Sequence, residues 1–454
     1  MRTVGAVVSP GPRLRPARPG RVVVIGFAVA TIVGTLLLML PISRPGPGGA
    51  SFIEAFFTAT SAICVTGLII VDTPVAWTVF GQVVILVLIQ IGGLGVMTFA
   101  SIVGIAVVRR LSLRSRLTAA AETKSTGVLD VNKIVGSVLK ISLLIEGAVA
   151  VVLFLWFAFA LNYPLGKALW FAVFHAVSSF NNAGFALYSD SMMGFVTDPV
   201  VSLTLSASII LGGLGFPVLV QLRREWRRPL RWTMNTRIVV AATISLLVLG
   251  TIYITAIEWS NPATLGPLDW PGKILAGFFQ SVQTRTAGFN SIDIGSMDDA
   301  SQFGMIALMF IGGGSAGTAG GIKVTTFAVL LFILVAEIRG DGVVNVFGKR
   351  LSRAVHRQAI ALVLLSVGVV VAATIAIMIM SGLALGPVLF EAVSAFGTVG
   401  MSVGITAGLP VGAQLILIAL MFLGRLGPIT FASALALRDR EILYQLPKER
   451  PIIG

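Results

Sequence analysis

Apolar stretches of two lengths alternate along this chain in a fixed order. Eight reach the roughly 20 residues that a helix needs to cross a hydrocarbon core. They run from about Val22 to Pro41, Val79 to Val108, Ile141 to Leu161, Val200 to Gln221, Ile238 to Glu258, Gln302 to Ile338, Ala359 to Met380 and Gly412 to Leu437. Between the members of each pair lies a shorter apolar segment, such as Phe52 to Ile63 or Leu169 to Phe180. These are too short to span and are expected as re-entrant half-helices. Each leads into a short turn closed by glycine: Cys64-Val65-Thr66-Gly67, Asn181-Asn182-Ala183-Gly184, Arg285-Thr286-Ala287-Gly288 and Gly397-Thr398-Val399-Gly400. The pattern predicts an all-α polytopic membrane protein of four M1-P-M2 repeats (outer helix, pore helix, inner helix) in pseudo-fourfold arrangement around one pore. It has eight transmembrane helices and four re-entrant pore helices, with repeats at 22–108, 109–221, 222–338 and 339–437.

A second signature keeps step with the first. The later helix of each unit carries a glycine cluster: Gly92-Gly93-Leu94-Gly95, Gly212-Gly213-Leu214-Gly215, Gly312-Gly313-Gly314-Ser315 and Gly424-Arg425-Leu426-Gly427. One such cluster reads as ordinary close packing of membrane helices. Four, in register with four glycine-ended turns, read as the parts of a selectivity filter built from backbone carbonyls. Glycine suits such a ring, because backbones must approach an ion closely in torsions that a side chain resists. Thr66, Thr286 and Thr398 offer hydroxyl oxygens as further ligands for a monovalent cation. Because the four turns differ, one well-formed site at the glycine level is expected, with less regular sites behind it.

The sixth long stretch contains Gly312-Gly313-Gly314-Ser315-Ala316-Gly317-Thr318-Ala319-Gly320-Gly321. Each glycine costs a helix about 1 kcal/mol against alanine, so a continuous helix is not expected there. Irregular backbone at membrane depth survives where it is buried in protein or lines water, and a mobile loop acting as a gate beneath the filter is the preferred reading. A phosphate-binding loop is excluded, because Ile322 separates Gly321 from Lys323 and no strand precedes. Arg425, in the middle of the last span, should face water or protein, since a guanidinium in lipid costs roughly 2.5–3.5 kcal/mol on insertion scales. It is either a positive charge in the ion path or a structural arginine tied to helix-end carbonyls. Arg285 is expected to clamp pore-helix carbonyls or an acid behind the filter in preference to lining the ion path, and Glu54, Glu146, Glu391 and His175 to be satisfied structural groups. No spacing suits a metal or acid–base site, so no enzymatic activity is expected.

Composition narrows the class. With 454 residues, 56% hydrophobic and 11% charged, and a mean hydropathy of +0.96, the chain lies outside the range of soluble globular proteins. The net charge of +14 could suggest nucleic acid, but the bases sit in alternate loops. They lie before the first span and after the second, between the fourth and fifth (Arg223 to Arg237), between the sixth and seventh (Arg339 to Arg357), and at the end of the chain. Alternating spans put all of these on one side, which the positive-inside rule makes cytosolic, with both termini, in a cell membrane. The opposite side holds Asp72, Asp190, Asp198, Glu258, Asp269, Asp293, Asp298 and Asp299. That face either concentrates cations at a pore mouth or is simply solvated. Cys64, alone, excludes an internal disulfide framework. Residues 1–21 read as a disordered basic arm rather than a cleavable signal, the first span serving as an uncleaved targeting element, and 438–454 as a cytosolic tail.

With both signatures in hand, the chain resembles the Ktr/Trk/HKT superfamily of potassium uptake proteins along nearly its whole length. The resemblance rests on Phe52-Ile53-Glu54-Ala55-Phe56-Phe57 and the following Thr58 to Asp72, on Asn181 to Phe185, on Thr284 to Asn290 and on Gly312 to Thr326. Eight spans rather than ten resemble the KtrB-type members. The likeness implies four pseudo-equivalent units around one pore per chain, a homodimer, and Gly67, Gly184, Gly288 and Gly400 as filter glycines selecting K+ over Na+. It also implies an intramembrane gating loop over Gly312 to Gly321, a characteristic arginine at Arg425, and a cytosolic ring of RCK-type nucleotide-binding subunits (KtrA/TrkA-like) as partner. The basic arm is not part of the match. The competing class is a secondary cation-coupled symporter with a solute at the broken sixth helix; such folds use two inverted repeats rather than four like ones.

Overall fold

A computed structural model describes residues 19–111 and 131–427. Residues 1–18 of the expected basic arm, residues 112–130 and those beyond 427 lie outside the described residues, as does the end of the last expected span. Residues 19–21, expected in the disordered arm, instead begin the first helix, which extends ahead of its apolar run.

Long and short helices succeed one another along the chain. A long helix α1 (Pro19–Met39) leads to a short α2 (Phe52–Ile63) and then α3 (Val79–Leu111). Next come α4 (Val131–Leu155), closed by a wide turn at Trp156–Ala160, then α5 (Leu165–Phe180) and the pair α6 (Pro199–Leu214) and α7 (Phe216–Glu225). The order recurs as α8 (Met234–Glu258), α9 (Trp270–Gln283) and the pair α10 (Asp299–Phe310) and α11 (Val324–Ile338), and again as α12 (Arg353–Ser381), α13 (Leu385–Gly397) and α14 (Val411–Leu426). Two strands not expected from the sequence, β1 (Asn345–Val346) and β2 (Lys349–Arg350), form a small antiparallel hairpin between α11 and α12.

Local chemistry sets where the short helices begin. At α2, Ser51 and Glu54 form a reciprocal capping box, satisfying two backbone donors that a helix start leaves free. Asp269 caps α9 through the Gly272 N–H, with proline in the first turn, and Asp198 caps α6 through the Val200 and Val201 N–H groups. Each short helix packs against the long helix before it and buries an aromatic ring at a common register: Phe57, Phe174 and Phe390 are fully buried and Phe278 partly so. These rings lie ten positions before the four turn glycines.

Helix length qualifies the count of spans. Among the described residues, Val135–Ala160, Met234–Glu258 and Arg353–Ser381 are by themselves long and apolar enough to cross a membrane, and α6 with α7 forms a fourth such unit bent by 103°. The bend falls at Gly215, whose φ of 94° is open to glycine and strained for other residues. The sixth stretch is interrupted from Ile311 to Lys323, as its glycine content predicts. Within the other long stretches the described apolar segments, Val23–Leu38, Val79–Gly95, Val324–Ile338 and Val411–Leu426, are shorter.

Candidate functional site

The four turns share an unusual backbone. In each, the glycine and the residue two before it have positive φ: 55° and 91° at Val65 and Gly67, 59° and 70° at Asn182 and Gly184, 69° and 80° at Thr286 and Gly288, and 50° and 90° at Thr398 and Gly400. A left-handed residue at every second position turns successive peptide planes the same way, where a strand would alternate them. The turns also meet. A Cβ placed on Gly67 would collide with Ala183 O, one on Gly184 would lie 2.7 Å from Ala287 O, one on Gly288 would collide with Val399 O, and one on Gly400 with Thr66 O. The order of contact runs from the first turn through the second and third to the fourth and back to the first. The carbonyls of Thr66, Ala183, Ala287 and Val399 therefore stand side by side in a closed circuit, with no room for a side chain between them. Thr66, Thr286 and Thr398 each bury a hydroxyl oxygen that finds no hydrogen-bond partner among the described residues, an expensive arrangement unless something else supplies one.

Three turns are fastened by a serine that the sequence reading passed over. Ser61, Ser178 and Ser394 each stand six residues before a turn glycine. The Ser61 carbonyl accepts from Thr66 N at 2.8 Å and its hydroxyl from Gly67 N at 3.1 Å. Ser394 repeats both bonds to Val399 N and Gly400 N at the same lengths. The Ser178 carbonyl accepts from Ala183 N at 2.8 Å, and its hydroxyl donates to Phe185 O at 2.8 Å. The third turn has valine at that register, and Gln283 substitutes: its carbonyl accepts from Ala287 N at 3.1 Å and its Oε1 from Phe289 N at 3.2 Å.

Behind the circuit, each turn is anchored differently. Asn181 directs its amide outward, donating to Gln90 Oε1 (2.8 Å), Glu146 (3.2 Å) and Val177 O (2.9 Å), while Glu146 also accepts from Gln90. Turned with its nitrogen toward them, the Asn182 amide donates to Phe180 O, Ile209 O and Thr318 Oγ1. Among the described residues Arg285 reaches neither a short-helix carbonyl nor an acid but Thr243 of α8, donating to its carbonyl and hydroxyl oxygens at 3.4 Å, because the long helix packed behind the turn is what lies within reach; Cys64 is buried. Glu391 accepts from the Ser402 and Thr406 hydroxyls and Val403 N, and His175 bridges Phe171 O and Leu187 N, so both brace the segment that follows a turn. At the start of α2, Glu54 pairs with Arg44 at 2.5 Å. Burial alone would raise its carboxyl, but the hydrogen bonds from Arg44 and Ser51 outweigh burial and hold it below the usual carboxylate value.

The glycine clusters meet the short helices. A Cβ on Gly92 would strike Ile63 O, one on Gly212 Phe180 O, and one on Gly424 Phe396 O. Each of those carbonyls lies four residues before a turn glycine, so the first glycine of three clusters lets a helix touch the backbone that enters the turn. In the third unit the cluster opens into the loop instead. That loop is fastened by backbone bonds: Gly312 N to Ile322 O (2.8 Å), Gly314 N to Gly213 O (2.7 Å), Thr318 N to Gly212 O (3.2 Å) and Val324 N to Gly313 O (3.0 Å). Its end reaches the fourth turn, where Gly320 and Gly321 lie against Thr398 and Gly397. Arg425 is buried and donates to Thr318 O of this loop and, at 2.9 Å, to Gly92 O. It is thus tied to carbonyls, one of which belongs to the loop. Lys323 donates to Ala319 O beside it.

On the other side of the circuit a vestibule of about 330 Å³ opens, lined by all four turn glycines together with Asp72, Asp190 and Asp293.

Residues 24–440 match the profile of the TrkH family, described as cation transport proteins. The chain belongs to the TrkH family. It is 40% identical to the Ktr system potassium uptake protein B of Bacillus subtilis, covering 92% of this chain and 93% of that one, and 38% identical to the protein of the same name from Vibrio alginolyticus over 96% and 94%. The potassium/sodium uptake protein NtpJ of Enterococcus hirae is 34% identical over 96% and 97%. Among solved structures, the potassium transporter TrkH of Vibrio parahaemolyticus superposes with a TM-score of 0.74 at 18% identity, covering 94% of this chain and 86% of that one. This TrkH-family member is therefore a helical, polytopic membrane protein with the TrkH fold.

Proposed function

We propose that this chain is the potassium-selective translocating subunit of an uptake system in the cell membrane. K+ passes through a filter formed by four M1-P-M2 repeats around one pore. The observation that carries the reading is the closed circuit of Thr66, Ala183, Ala287 and Val399 carbonyls at the four glycine turns. Carbonyls brought so close repel one another unless a cation lies between them, and the partnerless threonine hydroxyls beside them suit the same occupant. All four short helices end at the circuit, so their negative dipole ends favour positive charge there. The 40% and 38% relatives are named for potassium uptake. The remaining filter residues, Cys64, Val65, Asn181, Asn182 and Gly397, shape the turns.

In this reading the loop Gly312–Gly321, pinned by Arg425 and Lys323, blocks the path below the filter and is the gate. Opening it requires Arg425 to release Thr318 O, and a cytosolic RCK-type ring supplies the work by pulling on the basic cytosolic face. The functional unit is a homodimer with both termini in the cytosol. Flux is driven by membrane potential, at about 2.3 kcal/mol per charge per 100 mV. Purified protein in liposomes is expected to pass rubidium down a voltage gradient with no second ion present. Strict dependence on co-transported Na+ or H+ would support a coupled symporter, the class to which the break between α10 and α11 also belongs.

A further inference from the structure

The segment after Gly215 presents a surface that the ion path does not use. Helix α7 turns away from α6 by 103° and ends in a compact turn running to Trp232. Five arginines on it, Arg223, Arg224, Arg227, Arg228 and Arg231, are exposed, and none forms an ion pair among the described residues. Between them stand Trp226, 65% exposed, and Leu230, 88% exposed. The one acid nearby, Glu225, is engaged by the Gln221 amide at 3.2 Å. The turn is built rather than loose. Trp232 Nε1 donates to Glu225 O at 2.9 Å, Arg237 to Leu230 O at 2.6 Å, and Gln221 Oε1 accepts from the Thr233 and Thr236 hydroxyls.

Exposed tryptophan and leucine interleaved with arginines that have no acid partner among the described residues, Arg227 lying over the Trp226 ring at 4.8 Å, is the chemistry of a membrane interface. The apolar groups enter the headgroup boundary and the guanidiniums meet phosphates. Charge complementarity favours anionic phospholipid over a neutral surface.

The same helix is fastened to the glycine loop. Phe216 N, the first donor of α7, bonds to Ala316 O at 3.0 Å, and the Gly212 and Gly213 carbonyls at the end of α6 hold Thr318 N and Gly314 N. A Cβ on Gly215 would lie 2.5 Å from Ser315 O, so the bend itself rests on the loop. We propose that α7 and its turn form a binding site for anionic phospholipid headgroups, and that occupancy stabilises the bent α7 and the closed glycine loop bonded to it. The coupling half rests on the gate reading above; the binding half does not. A ligand favours the state in which its site is formed, so anionic lipid lowers basal flux.

The test uses full-length protein in vesicles of phosphatidylcholine alone or mixed with phosphatidylglycerol. Binding is read from quenching of Trp226 by headgroup-proximal brominated lipid, taken as the difference from Trp226→Phe. Gating is read from rubidium flux. In the wild type, quenching rises with phosphatidylglycerol and basal flux falls about fivefold, within the usual range of coupling between sites. The combined variant Arg223→Gln, Arg224→Gln, Arg227→Gln, Arg228→Gln and Arg231→Gln loses both responses. A chain with the Gly312–Gly321 loop shortened keeps the quenching response and loses the flux response.

Quenching indifferent to phosphatidylglycerol overturns the site. Normal quenching with flux unaffected by lipid in the wild type overturns the coupling, as does a lipid response that persists in the shortened loop. An arginine variant whose flux changes equally in both vesicle types shows that the arginines act independently of lipid and overturns the proposal. If the shortened chain conducts no faster than wild type in phosphatidylcholine, the gate reading fails, while the quenching result still decides the lipid site.

Discussion

At the scale of single residues, the four turn glycines are fixed by two independent constraints, torsion and space. Gly67 has φ of 91°, and any Cβ there meets Ala183 O. A non-glycine residue held in such a conformation costs about 1–3 kcal/mol, enough to displace a carbonyl from the circuit. Gly67→Ser is expected to lower the K+ over Na+ permeability ratio by about tenfold, the equivalent of 1.4 kcal/mol, measured as bi-ionic reversal potentials; an unchanged ratio would place this glycine off the ion path. Arg425 makes a different kind of contribution. Its charge has no acid partner among the described residues, and its donors are spent on Thr318 O and Gly92 O, joining the loop to α3. Arg425→Ala is expected to raise rubidium flux in the absence of any regulatory subunit, and flux equal to or below wild type in folded protein would remove the gate assignment. The glycines and Arg425 were legible in the sequence because each breaks a strong rule, a left-handed turn or a charge in an apolar run. Ser61, Ser178 and Ser394 were not, because a serine in a membrane helix breaks no rule. Their common distance from the turn glycines becomes informative once the turns are aligned on one another.

At the scale of elements, the glycine clusters show why a helix pattern alone understates its purpose. From sequence a single cluster reads as small residues for close packing and four in register as parts of a pore, and the structure gives the packing a target: Gly92, Gly212 and Gly424 each lie against a carbonyl at the end of a short helix, four residues before a turn glycine. A methyl group there forces backbone apart, and overpacking of this kind costs about 1–3 kcal/mol. Gly424→Ala, whose Cβ would strike Phe396 O, is therefore expected to lower the thermal midpoint of the detergent-solubilised protein by several degrees, while alanine at Gly368, where nothing lies within 4 Å, does not lower it, because alanine favours the helix there. Equal midpoints for the two would show that the contact at Gly424 relaxes freely. The break between α10 and α11 was legible for the same reason that it exists, a glycine density no helix tolerates. The bend at Gly215 was not, because Leu214-Gly215-Phe216-Pro217 sits inside an apolar stretch of spanning length, and only the bonds to Ala316 and the loop reveal that the chain turns there.

At the scale of the whole molecule, charge is sorted across the fold. Exposed arginines gather at the α7 turn, whereas the vestibule above the circuit collects Asp72, Asp190 and Asp293. The sequence left two readings of that acidic face open, a cation funnel or a solvated rim, because it cannot say which carboxylates face the opening or which are already occupied. Asp190 accepts from Gly194 N, and Asp293 from Gly295 N and the Ser296 hydroxyl, so both hold local backbone. Asp72 precedes the helical turn Thr73–Ala76 without accepting a cap bond from it. It is thus the vestibule carboxylate best placed to act through its field alone. A field effect is screened over about 30 Å at 0.01 M salt and about 3 Å at 1 M. Asp72→Asn is accordingly expected to slow inward rubidium flux about threefold at low ionic strength, within the lower range of electrostatic steering, and to match wild type at high salt. The comparison separates the two readings: a deficit that persists at high salt would make Asp72 a structural group, and no deficit at either strength would make the acidic rim a solvated surface.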